Sequence, residues 1–309
     1  MASEKKRYRG PFAQLPIYLG KCFRMFIYQS DWKFLPMTAL IAGVVALVVG
    51  GNMFFTMEGA FQGSFALDCV CIWIGFFNSI QSICRERPII KREHRSGMYI
   101  STYLIAHMIY QLILCVLETV IILAVYRIAG VKFYTEGFMT PWFLADLGIT
   151  LFLIIYASDM TSLFVSCLVR STTTAMTVMP FLLMFELVFS GGAFELGGIS
   201  KALSTFTISK YGLNCIAAHC NYNELRSVTL WNTFFKLRTN PYVNQVILYL
   251  EENNKVDDIL VESSKSMQVA DYARTTTNIC NCWIALLIFT VVFAALSIFS
   301  LSFVDRDKR

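Results

Sequence analysis

The chain has 309 residues, of which 56% are hydrophobic and 15% are charged, and its mean hydropathy is +0.56. Soluble domains are about 45–50% apolar and about 25% charged, so this composition excludes a disordered protein, a coiled coil and an ordinary soluble enzyme. The formal net charge is +5, but the basic residues are divided among separate loops, which argues against a nucleic-acid partner. The sequence therefore predicts an integral membrane protein.

The first 33 residues are predicted to form a cytoplasmic leader and an interfacial helix. Apolar side chains recur there at helical spacing on one arc, while Gln14, Lys21 and Arg24 fall largely on the opposite side. The apolar residues of this arc are Phe12, Leu15, Pro16, Leu19, Phe23, Phe26 and Ile27. The alternative, a helix packed on a soluble core, has little support because no soluble segment adjoins it.

Six apolar runs are long enough to cross a bilayer, which takes roughly 20 residues. They cover residues 34–55, 65–83, 99–126, 141–169, 171–190 and 283–304. We therefore predict an all-α integral membrane protein with six transmembrane helices and a large extracytoplasmic loop between helices 5 and 6. Its segments are the leader at 1–33, helices 1–5 at 34–190, the loop subdomain at 191–282, and helix 6 with its tail at 283–309.

Basic residues mark one side of the membrane. They precede the first span, separate spans two and three and spans four and five, and follow span six. In contrast, 56–64 contains none, and 127–140 contains only Arg127 and Lys132. By the positive-inside rule, both termini are predicted to be cytoplasmic. We expect a multi-pass protein of the cell (plasma) membrane, surrounded by the lipid bilayer.

The segment between spans two and three carries both signs of charge in the run CRERPIIKREHRSGMY. It predicts a short cytoplasmic helix over 85–98, restarted at Pro88 and broken at Gly97, that docks against another protein. The alternative is a solvated loop whose arginines only fix the topology. That alternative explains Glu86, Glu93 and the placement of the proline and glycine poorly.

Four glycines interrupt the chain after span five, namely Gly191, Gly192, Gly197 and Gly198. We predict a pair of short re-entrant or surface helices here, at the outer face. Non-helical backbone at membrane depth persists only where protein or water covers it, so the glycines are expected to border a cavity. A polar extracytoplasmic subdomain follows over 221–278, with a helix around Val243–Glu251.

Nucleotide-binding motifs do not occur in the sequence, which has no G-x-x-x-x-G-K-[ST] loop and no G-x-G-x-x-G after a strand. No paired catalytic signature occurs either. The three histidines, His94, His107 and His219, fall on different faces, which argues against a metal site. We therefore expect that this chain is not an enzyme and binds no cofactor or metal of its own.

Three carboxylates are placed inside the predicted spans: Glu118, Asp159 and Glu186. A charge in hydrocarbon costs at least about 2.5–3.5 kcal/mol, so each is expected to face protein or water. Three interpretations stay open: carboxyls that tie helices together, carboxyls that line a polar cavity, and a proton or substrate relay. No basic residue except His107 shares these spans, which weakens the relay.

Span five is rich in flexible and aromatic apolar side chains. They are Met176, Met179, Phe181, Met184 and Phe185. Such residues either pack against neighbouring helices or line a permissive hydrophobic pocket, because methionine and phenylalanine adapt to varied apolar ligands. The sequence leaves both interpretations open.

Four of the ten cysteines fall on the predicted outer side. They are Cys215, Cys220, Cys280 and Cys282. An oxidising exterior permits disulfides among them, and four cysteines allow three complete pairings. Free thiols are the alternative.

Two segments resemble elements of a known family. The run Glu86-Arg87-Pro88, Arg92-Glu93 and Ser96-Gly97-Met98-Tyr99 resembles the E-x-P-x-F-x-R-E-x-x-S-G-x-Y element of ABC exporters of the G subfamily. After span five, Phe189-Ser190-Gly191 and Ile208-Ser209-Lys210-Tyr211-Gly212 are similar to that family's F-S-G and S-P-x-[RK]-Y-G elements. The order of interfacial helix, six spans and a large loop before the last span also matches. The resemblance covers roughly residues 12–305.

The resemblance implies the membrane-spanning permease of an ATP-driven exporter, which moves a hydrophobic or amphipathic substrate outward by alternating access. ATP and Mg²⁺ would be bound by a partner ABC ATPase, expected as a separate subunit, and a second permease would complete a homo- or heterodimer. The competing class is an ATP-independent carrier or membrane scaffold that uses the three intramembrane carboxylates.

The same resemblance assigns residues to two sites. Coupling to the ATPase is assigned to Glu86, Arg87, Arg92, Glu93 and Gly97. The substrate cavity is assigned to Leu67, Cys71 and Ile74 on span two and to Pro180, Leu183 and Met184 on span five. In that family, two permease halves meet chiefly through these two spans, around a central cavity.

Overall fold

The computed structural model describes residues 10–28, 31–51, 53–194, 196–237, 241–252, 261–262, 265–266 and 268–303. This part of the chain is almost entirely helical, and no strand occurs in it. We number its helices α1 (Pro11–Tyr28), α2 (Phe34–Val49), α3 (Met57–Ser79), α4 (Ser82–Arg95), α5 (Ile100–Ile128), α6 (Phe143–Leu168), α7 (Thr172–Phe189), α8 (Ile199–Ser204), α9 (Ile208–His219), α10 (Tyr222–Leu237), α11 (Pro241–Glu252) and α12 (Thr276–Ser302).

Five helical runs of the described chain are long and apolar enough to cross a membrane. They are Met57–Arg95, which joins α3 to α4, and the helices α5, α6, α7 and α12. These runs overlap predicted spans two to six, and the all-helical architecture agrees with the predicted integral membrane class. The boundaries of α5, α6 and α7 each lie within two residues of the predicted span ends.

The predicted first span at 34–55 is wrong in its extent. Helix α2 has 16 residues and ends at Val49, which is short of the roughly 20 residues that a crossing takes. It ends there because Gly50 has a φ of +80°, outside the helical region. The count of six spans therefore stays a prediction, which requires α2 to cross where the bilayer is locally thin.

Helix α6 forms the centre of the bundle and packs chiefly on α3 and α12. The contact between α3 and α6 depends on Gly75. A Cβ atom at this position would lie 2.4 Å from the Ile155 carbonyl oxygen and 2.7 Å from the Ser158 Cβ. A residue with no side chain lets the two backbones approach closely, as is common between membrane helices.

Helix α1 lies against α5 and holds the junction between α4 and α5. The Gln14 side-chain amide donates to the Gly97 carbonyl oxygen at 3.0 Å and accepts from the Tyr99 backbone N–H at 3.1 Å. Gln14 is therefore buried, although its polarity placed it on the exposed side of the predicted interfacial helix. One buried amide satisfies two backbone groups at this helix boundary.

The loop subdomain is largely helical. Helix α9 is buried between α3, α6 and α12, and α11 (Pro241–Glu252) covers the helix predicted around Val243–Glu251. The last helix begins earlier than the predicted 283, because the Thr275 hydroxyl accepts from the Asn278 backbone N–H and caps α12 at Thr276. The first seven residues of α12 therefore replace the end of the predicted loop.

Candidate functional site

The predicted coupling segment is helix α4, which begins three residues earlier than expected, at Ser82, and ends at Arg95. Pro88 does not restart this helix but lies inside it. Gly97 has a φ of +101°, in the region that favours glycine, and the chain turns there into α5. Only Ile80 and Gln81 separate α3 from α4, so the segment is a direct continuation of the second predicted span.

Glu86 anchors α4 to two other helices. Its carboxylate lies 2.9 Å from the Lys21 ammonium of α1 and accepts a hydrogen bond of 2.9 Å from the Tyr103 hydroxyl of α5. The Tyr103 hydroxyl is also 3.0 Å from His107 Nε2. Glu86 is only 5% exposed, so its charge faces the interior of the chain and not a docking partner.

Arg87 anchors the same helix to the end of α6. Its Nη1 donates to the carbonyl oxygens of Cys167 and Val169 at 2.9 and 2.7 Å. These carbonyls belong to the last turn of α6, where a cation is favourable because of the helix dipole. The Ser166 hydroxyl adds to this contact, since it accepts from two backbone N–H groups at the start of α4.

Two side chains of α1 near the carboxylates of α4, Tyr18 and Cys22, are neutral. Burial raises the pKa of Tyr18 to about 12, and the nearby Glu93 carboxylate adds to this increase. Burial, reinforced by the charge of Glu86, also raises the pKa of Cys22 to about 12. Both groups therefore keep their protons near pH 7. Lys21 balances the two carboxylates, at 2.9 Å from Glu86 and 4.0 Å from Glu93.

The outer face of α4 carries the side chains that a partner can reach. Its exposed residues are Arg85, Pro88, Ile89, Arg92, Arg95 and Ser96. Of the residues assigned to coupling, Arg92 alone is on this face, whereas Glu86 and Arg87 are buried and Glu93 is half-buried. Sequence reasoning missed Ile89, an apolar side chain that is 39% exposed in the middle of a charged helix.

The predicted cavity residues of span two are buried within this chain. Leu67, Cys71 and Ile74 are at most 3% exposed and belong to the core of this chain. A cavity between two permeases needs side chains that one permease leaves accessible. On α3 the accessible stripe is Gln62, Ala66, Cys69 and Trp73, at helical spacing on a different face. The assignment of Leu67, Cys71 and Ile74 to a substrate cavity therefore stays a prediction.

Helix α7 has one face that the rest of the chain leaves uncovered. Pro180 and Met184, both assigned to the cavity, are exposed, and Phe181 is 73% exposed. Leu183 is instead buried with Met179 against the bundle. Met179 therefore packs against the bundle, whereas Phe181 and Met184 lie on an open surface, and the hydrophobic-pocket interpretation stays a prediction.

Two of the three intramembrane carboxylates tie helices together. Glu118 accepts hydrogen bonds from Asn78 Nδ2 at 2.7 Å and from the Thr38 hydroxyl at 3.4 Å, which joins α5 to α3 and α2. Glu186 accepts from the Ser209 backbone N–H at 3.0 Å and joins α7 to α9. Asp159 is fully buried, and neither of its oxygens has a hydrogen-bond partner within the described chain.

The four cysteines predicted on the outer side form no disulfide with one another or with any other cysteine of the described residues. Three of them are buried in the packing around α9: Cys215, Cys220 and Cys282. The Cys215 Sγ lies 3.4 Å from the Thr150 hydroxyl, and the Cys220 Sγ lies 3.5 Å from the Ser64 hydroxyl. Within the described residues, no group of three or more His, Cys, Asp or Glu side chains is placed to hold a metal ion.

Comparison with known families decides what this bundle is. A family model described as ABC-2 type transporter matches residues 22–217, from the middle of α1 to α9. The chain belongs to the ABC-2 type transporter family. This family is the permease component of ABC transporters, so the prediction of an ABC transporter permease is confirmed. No curated protein shows significant similarity to the chain.

Proposed function

We propose that this ABC-2 permease is the membrane half of an ATP-driven exporter, which moves a hydrophobic or amphipathic substrate outward by alternating access. A partner ABC ATPase would bind ATP and Mg²⁺ on a separate chain. The observation that carries the proposal is the arrangement of α4, which is fixed to its own bundle on one face and exposed on the other. Both termini are proposed to lie in the cytoplasm, with the protein in the plasma membrane.

Force on the exposed face of α4 would reach the substrate path because α4 cannot move alone. Glu86 connects it to α1 and α5, and Arg87 connects it to the end of α6. These buried, charge-assisted contacts are stronger than neutral ones, so the helix and its neighbours move as one body. To drive the cycle, ATP must favour the outward state by several kcal/mol of differential binding.

A second permease would complete the transporter. The open face of α7 and the accessible stripe of α3 are partly apolar surfaces that no helix of the described chain covers, which supports a dimer that meets through these two helices. The substrate would pass between the two copies. In this arrangement Gln62, Cys69 and Trp73 replace the buried residues of α3 in the cavity.

The carrier alternative receives less support. It needs intramembrane carboxylates that are free to bind and release a proton or substrate. Glu118 and Glu186 are instead engaged by Asn78, Thr38 and Ser209 in contacts between helices, which favours a structural role for both.

The proposed coupling is tested with a double charge change on the exposed face of α4, Ile89→Asp with Arg92→Glu. We expect co-purification of the ATPase and transport-coupled ATP hydrolysis to fall at least about tenfold, because charge reversal at a docking surface costs at least about 1.4 kcal/mol. The matched control is Arg127→Glu, an exposed arginine at the far end of α5. Equal ATPase coupling in the two variants would contradict the proposal.

A further inference from the structure

A polar cavity lies between α1, α3, α4 and α5, and an apolar crevice between α2 and α3 adjoins it. The polar cavity has a volume of about 110 Å³ and the apolar crevice has a volume of about 370 Å³. Phe34, Phe77 and Asn78 line both of them. The two spaces therefore meet at these three residues and form one site with a polar part and an apolar part.

The polar cavity is lined by two side chains that each have an atom without a hydrogen-bond partner in the described chain. His107 and Gln111 lie one turn apart on α5, and both are at most 3% exposed. Gln111 Nε2 donates to the Ser79 hydroxyl at 2.7 Å, while Gln111 Oε1 is buried without a donor. A buried acceptor of this kind is costly unless a ligand or water donates to it.

The unpartnered nitrogen of His107 is also an acceptor. The Tyr103 hydroxyl has one hydrogen, which it donates to the Glu86 carboxylate at 2.9 Å, so it accepts from His107 Nε2 at 3.0 Å. In a neutral imidazole one nitrogen donates and the other accepts. His107 Nδ1, which is buried without a partner, therefore requires a donor. The polar cavity thus has two acceptors to satisfy, and hydroxyl groups can donate to both.

The apolar crevice has room for a hydrocarbon chain beside these acceptors. Its polar residues Thr38 and Asn78 both donate to the Glu118 carboxylate, at 3.4 and 2.7 Å. Met37 is exposed, so the crevice opens at the side of the bundle. Its volume falls within the range of about 300–1,000 Å³ that is typical of small-molecule sites. The apolar side chains that line it are Phe34, Met37, Ile41, Ile74 and Phe77.

The charges around the site favour a neutral head group. No aspartate or glutamate of the described chain lines either space, whereas Arg85 lines the polar cavity and Lys33 lines the apolar crevice. An ammonium head would therefore find no counter-charge. A sulfate or carboxylate head only accepts hydrogen bonds, so it would leave Gln111 Oε1 and His107 Nδ1 unsatisfied. A neutral head with hydroxyl groups avoids both costs.

We propose that this site binds a neutral lipid whose head carries hydroxyl groups, with the head in the polar cavity and an acyl chain in the apolar crevice. A monoacylglycerol has this chemistry, since it combines two hydroxyl donors with one chain. The inference goes beyond the proposed function, because the site lies within one permease and binding requires neither ATP nor a second copy.

Photolabelling of the purified full-length chain in phosphatidylcholine nanodiscs tests the site. The three probes carry the same chain with a diazirine near its end and differ in the head: a 1-monoacylglycerol, a methyl ester and an alkyl sulfate. We expect the monoacylglycerol to label the chain at least about tenfold more than the methyl ester, because only its hydroxyls donate to Gln111 and His107. Peptide mapping should place the label on Met37, Ile41 or Ile74.

Two variants of adjacent residues on α2 separate the apolar crevice from the surrounding bilayer. Ile41→Trp fills the crevice and should abolish the preference for the monoacylglycerol. Leu40→Trp adds the same side chain at an exposed position outside the crevice and should keep the preference. Gln111→Met removes one acceptor and should reduce labelling by the monoacylglycerol but not by the methyl ester, whereas a misfolded chain would lose both.

Three results would overturn the inference. Equal labelling by the monoacylglycerol and the methyl ester would leave water as the occupant of the polar cavity. Stronger labelling by the alkyl sulfate would assign the site to an anion. Equal effects of Ile41→Trp and Leu40→Trp would place the probe outside the crevice. If the preference holds but no ATPase associates with the chain, the proposed function fails and this inference stands.

Discussion

At the scale of single residues, the charges that define the predicted coupling motif serve two purposes. Glu86 and Arg87 hold α4 in place from within, whereas Arg92 and Ile89 face outward. The sequence predicted which residues belong to the segment, but not their direction. Lys21 lies 65 residues from Glu86 and Cys167 lies 80 residues from Arg87 along the chain, and local spacing contains no information about these two partners.

Removal of the Glu86 carboxylate should destabilise the chain. Glu86→Ala breaks the Lys21 ion pair and the Tyr103 hydrogen bond and leaves the Tyr103 hydroxyl buried without this acceptor. We expect a loss of about 1–3 kcal/mol, seen as a lower thermal unfolding midpoint in detergent. Glu136→Ala, at an exposed position, is the control and should change stability by less than about 0.5 kcal/mol. Equal midpoints for the two variants would show that Glu86 is not an anchor.

At the scale of elements, hydrophobic length predicted the bounds of α5, α6 and α7 within two residues, whereas local backbone geometry set the end of α2 and the start of α12. Helices α5, α6 and α7 follow the apolar runs. Inside a bilayer every backbone N–H and C=O group needs a hydrogen-bond partner within the protein, so the helix continues as far as the apolar run does. Helix α2 stops at Gly50, since a positive φ ends a helix whatever apolar residues follow. The rotation of α3 was unpredictable from the motif, because Leu67 and Cys71 differ from the accessible Ala66 and Cys69 by only one or two positions.

The packing of α3 on α6 should tolerate no side chain at position 75. Gly75→Ala places a methyl group 2.4 Å from the Ile155 carbonyl oxygen, so the helices must separate at a cost of about 1–3 kcal/mol. The control is Gly43→Ala on α2, where the new methyl group meets the Val125 side chain at 3.6 Å, an ordinary contact. We expect Gly75→Ala to unfold at a lower temperature than Gly43→Ala, and the reverse order would refute the close approach.

At the scale of the whole molecule, the proposed function makes one chain half of a transport path. The faces of α3 and α7 that the bundle leaves uncovered carry large apolar side chains such as Trp73 and Phe181, and in a two-fold arrangement the residues nearest the axis meet their own copies. The composition predicted a membrane bundle and the motifs predicted its family. Neither indicated which face of each helix is buried against the rest of the bundle. The buried face of α3 is determined by the packing of α6 and α9 against it.

A cysteine on the open face of α7 should therefore crosslink two permeases in native membranes. Phe181→Cys replaces a side chain that is 73% exposed. Mild oxidation should give a reducible species that contains two permease chains. Its amount should be well above that formed by the unmodified chain, which has ten cysteines of its own. Val291→Cys on α12 is the control, because it is similarly exposed at 66% but lies outside the proposed interface. Crosslinking at Val291 and not at Phe181 would place the partner on α12 and would move the substrate path away from α7.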